Sequence, residues 1–366
     1  MTRPIRATID LNALLANYQY AKQMSANNAQ ALAVIKADAY GHGAIAAAKA
    51  LDAEADGFAV ASVEEALQLR QANIKSPIVL LEGFFSAEEL EAISHYNLQP
   101  LIHSQQQIEV LHKHPQNKAL TVWLKLDSGM HRLGFSPEQF ITAFTELTQR
   151  PYIKNIICTS HFACADEPDH PLNKKQLACC AQTIKTLGNP PASLANSPAI
   201  LTMPDSHYQW LRPGIMLYGS SPFAYPHPQA SALQPVMTLT AELIATKNLE
   251  AGETVGYGAS FQVGKSLPMG VVSIGYGDGY PRYIAEGAAV VIHGIRCPII
   301  GRVSMDMITV DLTHCPQANI GDTVELWGTQ LSVNEIAAHA NTISYELLTK
   351  ITQRVPRHYI GNTTGE

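Results

Sequence analysis

A lysine at the end of a short apolar run is the residue of this chain best suited to covalent chemistry. The run Leu32 to Ile35 is typical of a buried strand of a parallel sheet, and Lys36 follows it directly. A loop with two glycines and the helix-forming segment Ala44 to Leu51 come next. A lysine in this position stands where α/β folds place their chemistry, and a lowered pKa would allow it to form a Schiff base. On spacing alone, a lysine that only marks the end of the strand is the more common interpretation.

Side chains or backbone amides that could bind a ligand also accompany four later apolar runs. They are Lys125 and Arg132 after the fifth run, His161 after the sixth, Asn196 and Ser197 after the seventh, and Arg212, Gly214 and Ile215 at the start of the eighth. Ser197 and the backbone amides near Gly214 and Ile215 could cradle a phosphate, as the loops of the last two strands often do in barrel enzymes. A serine or asparagine after a strand is usually only a helix cap. The convergence of several strand ends favours a binding site.

The elements that must position these side chains form a repeating pattern. Apolar runs are centred near residues 34, 58, 79, 101, 122, 157, 194 and 215, with helical periodicity between most of them. Ser62 before Val63-Glu64-Glu65 and Ser136-Pro137-Glu138 are helix-start signals. The pattern predicts an α/β fold, a (β/α)8 TIM barrel over residues 12–230, with an open doubly wound sheet as the alternative. Short β-like runs after residue 230 predict a smaller, mostly β C-terminal domain over residues 231–366, onto which a strand within residues 1–11 packs.

Composition narrows the class of protein. The chain has 366 residues, enough for two domains, and its formal net charge of −6 argues against a nucleic-acid surface. The N-terminus lacks the apolar core of a signal peptide, and no apolar run is long enough to span a bilayer, so we expect a cytoplasmic protein without a membrane partner. The six cysteines form no CxxC pair and no zinc-ligand spacing, so we expect free thiols and no metal.

Several motifs identify a family. Around Lys36 the chain has Ala33-Val34-Ile35-Lys36-Ala37-Asp38-Ala39-Tyr40-Gly41-His42-Gly43; further on it has the segments that begin at Lys125, Ser160, Arg212, Val255, Ile274 and Gly301. In residue identity, order and separation these segments resemble alanine racemases of the fold-type III class of pyridoxal-phosphate enzymes. The resemblance covers essentially the whole chain. It implies interconversion of L-alanine and D-alanine, either to supply D-alanine for peptidoglycan or to consume it in catabolism.

The resemblance assigns the two catalytic bases. Lys36 is expected to hold pyridoxal phosphate covalently and to act on the D-enantiomer. Tyr257 is expected to act on the opposite face of the cofactor. A phenol has a pKa near 10, so it needs neighbours such as His161 and Arg212 to act as a base near neutral pH.

The remaining implied roles concern binding. Residues implied to bind the cofactor are Lys36, Tyr40, His161, Asn196, Ser197, Arg212, Gly214 and Ile215. Arg212 would face the pyridine nitrogen and, because it can only donate hydrogen bonds, would disfavour protonation of that nitrogen. Arg132 and Met305 would bind the amino-acid substrate, and residues at the entrance would be Tyr276, Arg302 and Asp306.

Two features depend on chemistry beyond the single chain. Lys125 lies seven residues before Arg132; the resemblance implies that it can be carbamylated, and the added negative charge would orient that arginine. The family also implies a head-to-tail homodimer in which Tyr257 completes the partner's site. Gln353 stands where the resemblance suggests a tyrosine that contacts the phosphate and narrows the entrance.

Three alternatives remain open. They are an amino-acid racemase of broader specificity, a pyridoxal-dependent decarboxylase of the same fold, and a non-catalytic protein that binds pyridoxal phosphate. Decarboxylases place an acidic residue at the pyridine nitrogen, where this chain has Arg212. The second domain, with Tyr257 and Met305, argues against a simple binding protein.

Overall fold

The structure, a computed structural model, describes residues 3–25 and 27–361. Eight parallel strands close into a barrel in chain order, and the last strand pairs with the first. A strand that precedes the barrel is β1 (Ile5–Asp10), and the barrel strands are β2 (Gln30–Val34), β3 (Gly57–Val60), β4 (Ile78–Leu80), β5 (Leu98–Ile102), β6 (Leu120–Lys125), β7 (Ile153–Thr159), β8 (Ala192–Asn196) and β9 (Trp210–Arg212). The predicted (β/α)8 barrel is confirmed.

One helix leads into the first barrel strand, and the others connect the barrel strands. They are Leu11–Gln23, Ala44–Leu51, Val63–Gln71, Glu89–His95, Gln105–Lys113, Pro137–Thr148, Pro171–Thr186 and Ser197–Thr202. The helix at Pro137 begins as the sequence predicts, because Ser136 and Gln139 form a reciprocal capping box. Each β-to-α connection brings the end of a strand to the same rim of the barrel, which is where this fold carries its sites.

The eighth barrel strand is earlier in the chain than predicted. It ends at Arg212, whereas the prediction starts it there, and Ile215–Tyr218 forms a 3-10 helix instead. Pro213 supplies no N–H for a further ladder bond. All four residues of this 3-10 helix are buried, which explains the apolar run that suggested a strand.

The C-terminal domain is built around a mostly antiparallel sheet. Its strands are β10 (Met237–Leu249), β13 (Leu267–Val272), β14 (Ala289–Ile292), β15 (Ile295–Pro298), β16 (Ile308–Asp311), β17 (Thr323–Trp327) and β18 (Arg357–Ile360), with a separate hairpin of β11 (Thr254–Val255) and β12 (Phe261–Gln262) and the helices Val333–His339 and Ser344–Thr349. The first strand of the chain, β1, lies in this sheet between β10 and β18. The strand β1 therefore belongs to the C-terminal domain, and the chain enters the barrel after it.

The apolar core runs without a break from the barrel into the C-terminal sheet. A second, small cluster of Val255, Val263, Leu267, Met269 and Ile300 packs beneath the β11–β12 hairpin. This cluster gives the loop that joins β11 to β12 a support of its own. Within the described ranges, every helix is too short or too polar to cross a bilayer.

Candidate active site

A cavity of about 690 Å³ opens at the carboxyl ends of the barrel strands. Among its lining residues are ten that the sequence analysis singles out: Lys36, Tyr40, Lys125, Arg132, His161, Asn196, Ser197, Arg212, Gly214 and Ile215. These residues come from segments spread over almost 180 positions of the chain. Their convergence in one cavity weakens the interpretation of each as a mere strand end or helix cap.

Lys36 directly precedes a turn whose backbone is left-handed. Ala37, Asp38, Ala39 and Tyr40 all have φ between 52° and 53°, in the left-handed region. This conformation costs roughly 1–2 kcal/mol for each residue that is not glycine, so the turn persists only because the surrounding structure fixes it. No pattern in the sequence predicts this conformation, and we name residues 37–40 the left-handed turn.

The left-handed turn is held from within by aromatic and imidazole contacts. The buried ring of His42 lies 2.9 Å and 3.0 Å through Nδ1 from the carbonyl oxygens of Ala39 and Tyr40, so Nδ1 carries the proton and donates. Burial lowers the pKa of His42 to about 4, which keeps the ring neutral at ordinary pH. Tyr218 stacks on His42 and on Tyr40, with ring centroids 4.5 Å and 4.7 Å apart. These contacts fix the segment that carries Lys36.

Arg212 is buried among neutral acceptors. Its Nη1 donates to the hydroxyls of Thr159 and Ser193, and its Nη2 donates to the carbonyl oxygens of Ser160 and Leu194. In the described part of the chain, no carboxylate pairs with it. Burial lowers its pKa to about 10, and it therefore stays protonated at neutral pH.

Arg212 also sets the protonation of its neighbour His161. Nη2 of the arginine donates to Nδ1 of the imidazole over 3.3 Å, which requires an unprotonated Nδ1. Burial lowers the pKa of His161 well below its usual range, and the positive charges of Lys125 and Arg212 lower it further. The ring is therefore neutral and carries its proton on Nε2.

Ser197, Gly214 and Tyr40 form a small polar cradle at the end of the cavity near β8 and β9. Ser197 Oγ accepts the N–H groups of Gly214 at 2.9 Å and Met216 at 3.3 Å, which leaves its own hydroxyl proton free to donate. A Cβ atom on Gly214 would lie 3.0 Å from the Tyr40 hydroxyl and 3.8 Å from Ser197 Oγ, so a side chain there would fill the cradle. Burial raises the pKa of Tyr40 to about 12, which keeps it a neutral donor. Such donors fit a phosphate group.

Lys125 lies across the cavity among positive charges. Burial, followed by the charges of Arg212 and Arg132, lowers its pKa to about 7. Arg132 sits on the loop after β6, whose bend is fixed by Asp127 Oδ1, which accepts the N–H groups of Gly129 and His131 at 3.0 Å. A lysine in this setting is neutral for much of the time near pH 7, unlike an ordinary surface lysine.

The other predicted site residues lie together on the C-terminal domain. Tyr257 follows β11 and is 72% exposed, and Met305 is 52% exposed. The main-chain N–H groups of Tyr276 and Gly277 donate to the carbonyl oxygens of Ser304 and Met305, and Gly258 lies against the guanidinium of Arg302. Over residues 3–25 and 27–361, none of the five residues on this face lines the barrel cavity of its own chain: Tyr257, Tyr276, Arg302, Met305 and Asp306.

An ion-pair network holds this face in place. Asp278, fully buried, pairs with Arg3 through both carboxylate oxygens, and it accepts the N–H of Gly275 at 2.9 Å. Arg3 also donates to the carbonyl oxygen of Asp306 at 2.8 Å. The network ties the N-terminal strand to the two loops that carry Tyr276 and Met305.

The structure corrects the expectation placed on Gln353. That residue lines a separate cavity of about 340 Å³ behind the left-handed turn. The tyrosine beside the polar cradle is Tyr345, which lines the barrel cavity with its ring centroid 6.0 Å from that of Tyr40. The sequence gives no signal for this placement, because Tyr345 reaches the cavity only through the docking of helix Ser344–Thr349 on the barrel.

Comparisons with known proteins agree with this architecture. The chain matches two family descriptions, Alanine racemase, N-terminal domain, over residues 9–222 and Alanine racemase, C-terminal domain, over residues 236–359. It is 50% identical to a catabolic alanine racemase of Pseudomonas putida, over 98% of this chain and 99% of that protein. The crystal structure of biosynthetic alanine racemase from Pseudomonas aeruginosa matches with a TM-score of 0.94 and 46% identity, over 98% of this chain and 100% of that one. That of alanine racemase from Bartonella henselae with covalently bound pyridoxal phosphate matches with a TM-score of 0.88 and 34% identity, over 98% and 99%.

Proposed function

The chain belongs to the alanine racemase family, and on this premise we propose that it interconverts L-alanine and D-alanine with pyridoxal phosphate. The observation that carries the proposal is the cavity at the barrel rim, where a lysine, a cradle of hydrogen-bond donors and a buried arginine held by neutral acceptors meet. The reaction would supply D-alanine for peptidoglycan or consume it in catabolism.

The donors of the cavity suit the cofactor. Ser197, Tyr40 and the backbone amide of Ile215 would hold the phosphate, with the amides of Gly214 and Met216 orienting the Ser197 hydroxyl. Lys36 would bond to the aldehyde carbon, and Tyr345 would close the cradle from the C-terminal domain. When bound, pyridoxal phosphate supplies an electron-withdrawing ring that makes the α-proton of an attached amino acid acidic. Asn196 caps helix Ser197–Thr202 by accepting the N–H of Ala199, and it would thereby fix the start of the phosphate site.

Arg212 would limit how strongly that ring withdraws electrons. A protonated guanidinium can only donate to the pyridine nitrogen, so it opposes protonation of that nitrogen. The neutral acceptors around it keep its charge unneutralised within the site. This arrangement favours the rapid return of a proton to Cα, as racemisation requires, over prolonged delocalisation of negative charge into the ring.

Arg132 would bind the substrate carboxylate, and Lys125 would orient it. A carbamylated Lys125 would place a negative charge beside Arg132 and Arg212, whereas an unmodified ammonium would repel both. The lowered pKa of Lys125 supplies the neutral amine that reacts with carbon dioxide. We therefore include carbamylation of Lys125 in the proposed working state.

Two bases would serve the two faces of the substrate. Lys36 would take or return the proton on the D-side, and Tyr257 would do so on the L-side. Because Tyr257 is 72% exposed on its own C-terminal domain, we assign it to the cavity of a second copy in a head-to-tail homodimer. Neutral His161 would stabilise the phenolate of the incoming tyrosine by donating from Nε2, and Arg212 would support it through its hydrogen bond to His161 Nδ1.

A panel of L-amino acids tests the proposal. The holoenzyme is incubated with each one, and the products are separated by chiral chromatography while released carbon dioxide is measured. We expect D-alanine from L-alanine, no carbon dioxide, and little conversion of larger amino acids because the cavity must also hold the cofactor. Carbon dioxide release would indicate a decarboxylase, and conversion across the panel would indicate a racemase of broader specificity. Cofactor binding without conversion of any amino acid would refute the proposed activity.

A further inference from the structure

Ser62 and Glu65 have the spacing of a capping box, but they do not form one. In a capping box, the glutamate three residues after the serine would bond back to the N–H of the cap residue. Here the Ser62 side chain makes no capping bond. Glu65 instead reaches out of its helix: Oε1 accepts the N–H of Ala37 at 2.7 Å, and Oε2 accepts the N–H of Ala61 at 2.7 Å.

Ala37 is the residue directly after Lys36 and the first of the left-handed turn. Its N–H donates to Glu65 and not to a group within the turn. The first hydrogen bond within the turn is the one that the N–H of Ala39 donates to the carbonyl oxygen of Ile35. Ala61 directly follows β3, the strand next to the one that leads to Lys36. One carboxylate therefore fastens the start of the turn to the neighbouring strand end.

The far end of the turn is fastened by a different element. Arg357 of β18 donates through Nε and Nη2 to the carbonyl oxygen of Gly41, at 3.2 Å and 3.1 Å. Its other donors reach the carbonyl oxygens of Ile351, Thr352 and Val355. Arg357 therefore holds the end of the turn and His42 holds its interior, whereas Glu65 holds the backbone directly after Lys36.

We propose that Glu65 is the positioning residue of Lys36. Its charged carboxylate fixes the backbone after the lysine, so that the amine meets the cofactor and Cα at the geometry of reaction. The inference rests on the proposed function and deepens it, because it concerns the same lysine. Hydrogen bonds to an ionised acceptor are strong, and small misplacements of a reacting group are costly.

The test compares Glu65→Gln with Glu64→Gln in the full-length protein. The amide of the first variant can accept one of the two N–H groups but must turn its own NH2 toward the other. Glu64 is exposed one position earlier on the same helix, so its variant makes the same change of charge, again with no change in side-chain length. Both variants are assayed for kcat and KM for alanine, for the dissociation constant of pyridoxal phosphate from the apo-protein, and for thermal unfolding.

We expect Glu65→Gln to lower kcat and to weaken cofactor binding by about 10- to 100-fold, with KM changed less than kcat. Glu64→Gln should match wild type in all of these measurements. If Glu65→Gln matches Glu64→Gln while wild type racemises alanine, the positioning role is wrong and the proposed function survives. If wild type itself does not racemise alanine, the proposed function fails.

A measurement on the wild-type protein keeps the proposal testable if Glu65→Gln does not fold. Hydrogen exchange of the backbone amides is followed by NMR, because an N–H held by a carboxylate exchanges slowly. We expect the N–H groups of Ala37 and Ala61 to be protected by at least about 100-fold relative to an open loop. Rapid exchange of Ala37 in the folded wild-type protein would overturn the proposal.

Discussion

Carbamylation of Lys125 should depend steeply on pH, because only the neutral amine reacts with carbon dioxide. The nitrogen lone pair bonds to the carbon of carbon dioxide, and the ammonium proton that results is released to water. With a pKa of about 7, roughly 90% of Lys125 is neutral at pH 8, against about 0.3% for a lysine at the usual value of 10.5. The cavity therefore raises the reactive fraction by about 300-fold.

The sign of the pH effect follows from the direction of this shift. Below pH 6 the ammonium form dominates, so the modified fraction should fall as the medium is acidified. Between about pH 7 and the usual lysine pKa, Lys125 of the unmodified protein is protonated in the unfolded chain and neutral in the folded chain. The contribution of unmodified Lys125 to the free energy of unfolding therefore rises with pH through that window and is least favourable below it.

Carbon-13 NMR with labelled bicarbonate measures the modification without denaturing the protein. At pH 8.5 we expect a carbamate signal of about one equivalent per chain, its decline by pH 6, and no signal in Lys125→Arg, which offers no neutral amine. Removal of carbon dioxide at pH 8.5 should raise KM for alanine, because Arg132 then lacks its negative neighbour. Full activity in wild type without a carbamate signal would refute the reasoning.

Two further predictions concern the packing of the left-handed turn and the polar cradle. Gly41→Ala and Gly188→Ala both place a side chain at positive φ, but only at Gly41 would the new Cβ clash with a backbone oxygen, that of Leu348. Urea unfolding should therefore show a loss of about 1 kcal/mol for Gly188→Ala and at least about 3 kcal/mol for Gly41→Ala; equal losses would contradict the close packing of the turn on the C-terminal domain. Ser197→Ala removes the hydroxyl donor of the cradle and should weaken binding of pyridoxal phosphate to the apo-protein by about 10-fold, measured by fluorescence titration. An unchanged dissociation constant would place the phosphate elsewhere.

Much of the barrel could be predicted because its strands are buried on both faces. Such strands appear in a sequence as short, nearly continuous apolar runs separated by helical periodicity. The same signal failed at the eighth strand, where Ile215–Tyr218 is equally apolar but forms a buried 3-10 helix after Pro213. An apolar run records burial and cannot by itself distinguish a strand from a short helix.

The site was predictable only in part, for a similar reason. Strand-end residues such as Lys36, Arg212 and Ser197 are marked by their position in the repeating pattern. The left-handed conformation of Ala37 to Tyr40 leaves no mark, since neither alanine nor tyrosine favours it and tertiary contacts impose it. Tyr345 was missed because its place at the cavity depends on how a helix of the second domain docks on the barrel.

The central claim, that Lys36 of one chain and Tyr257 of another form one racemase site, is tested most directly by a hybrid dimer. Lys36→Ala and Tyr257→Phe chains with different tags are produced together, and the hybrid is purified through both tags. If the site is shared, the hybrid contains one intact site and one doubly altered site. It should therefore convert L-alanine to D-alanine at about half the wild-type rate per dimer, while each parent variant is inactive in that direction. A hybrid as inactive as its parents would contradict the claim.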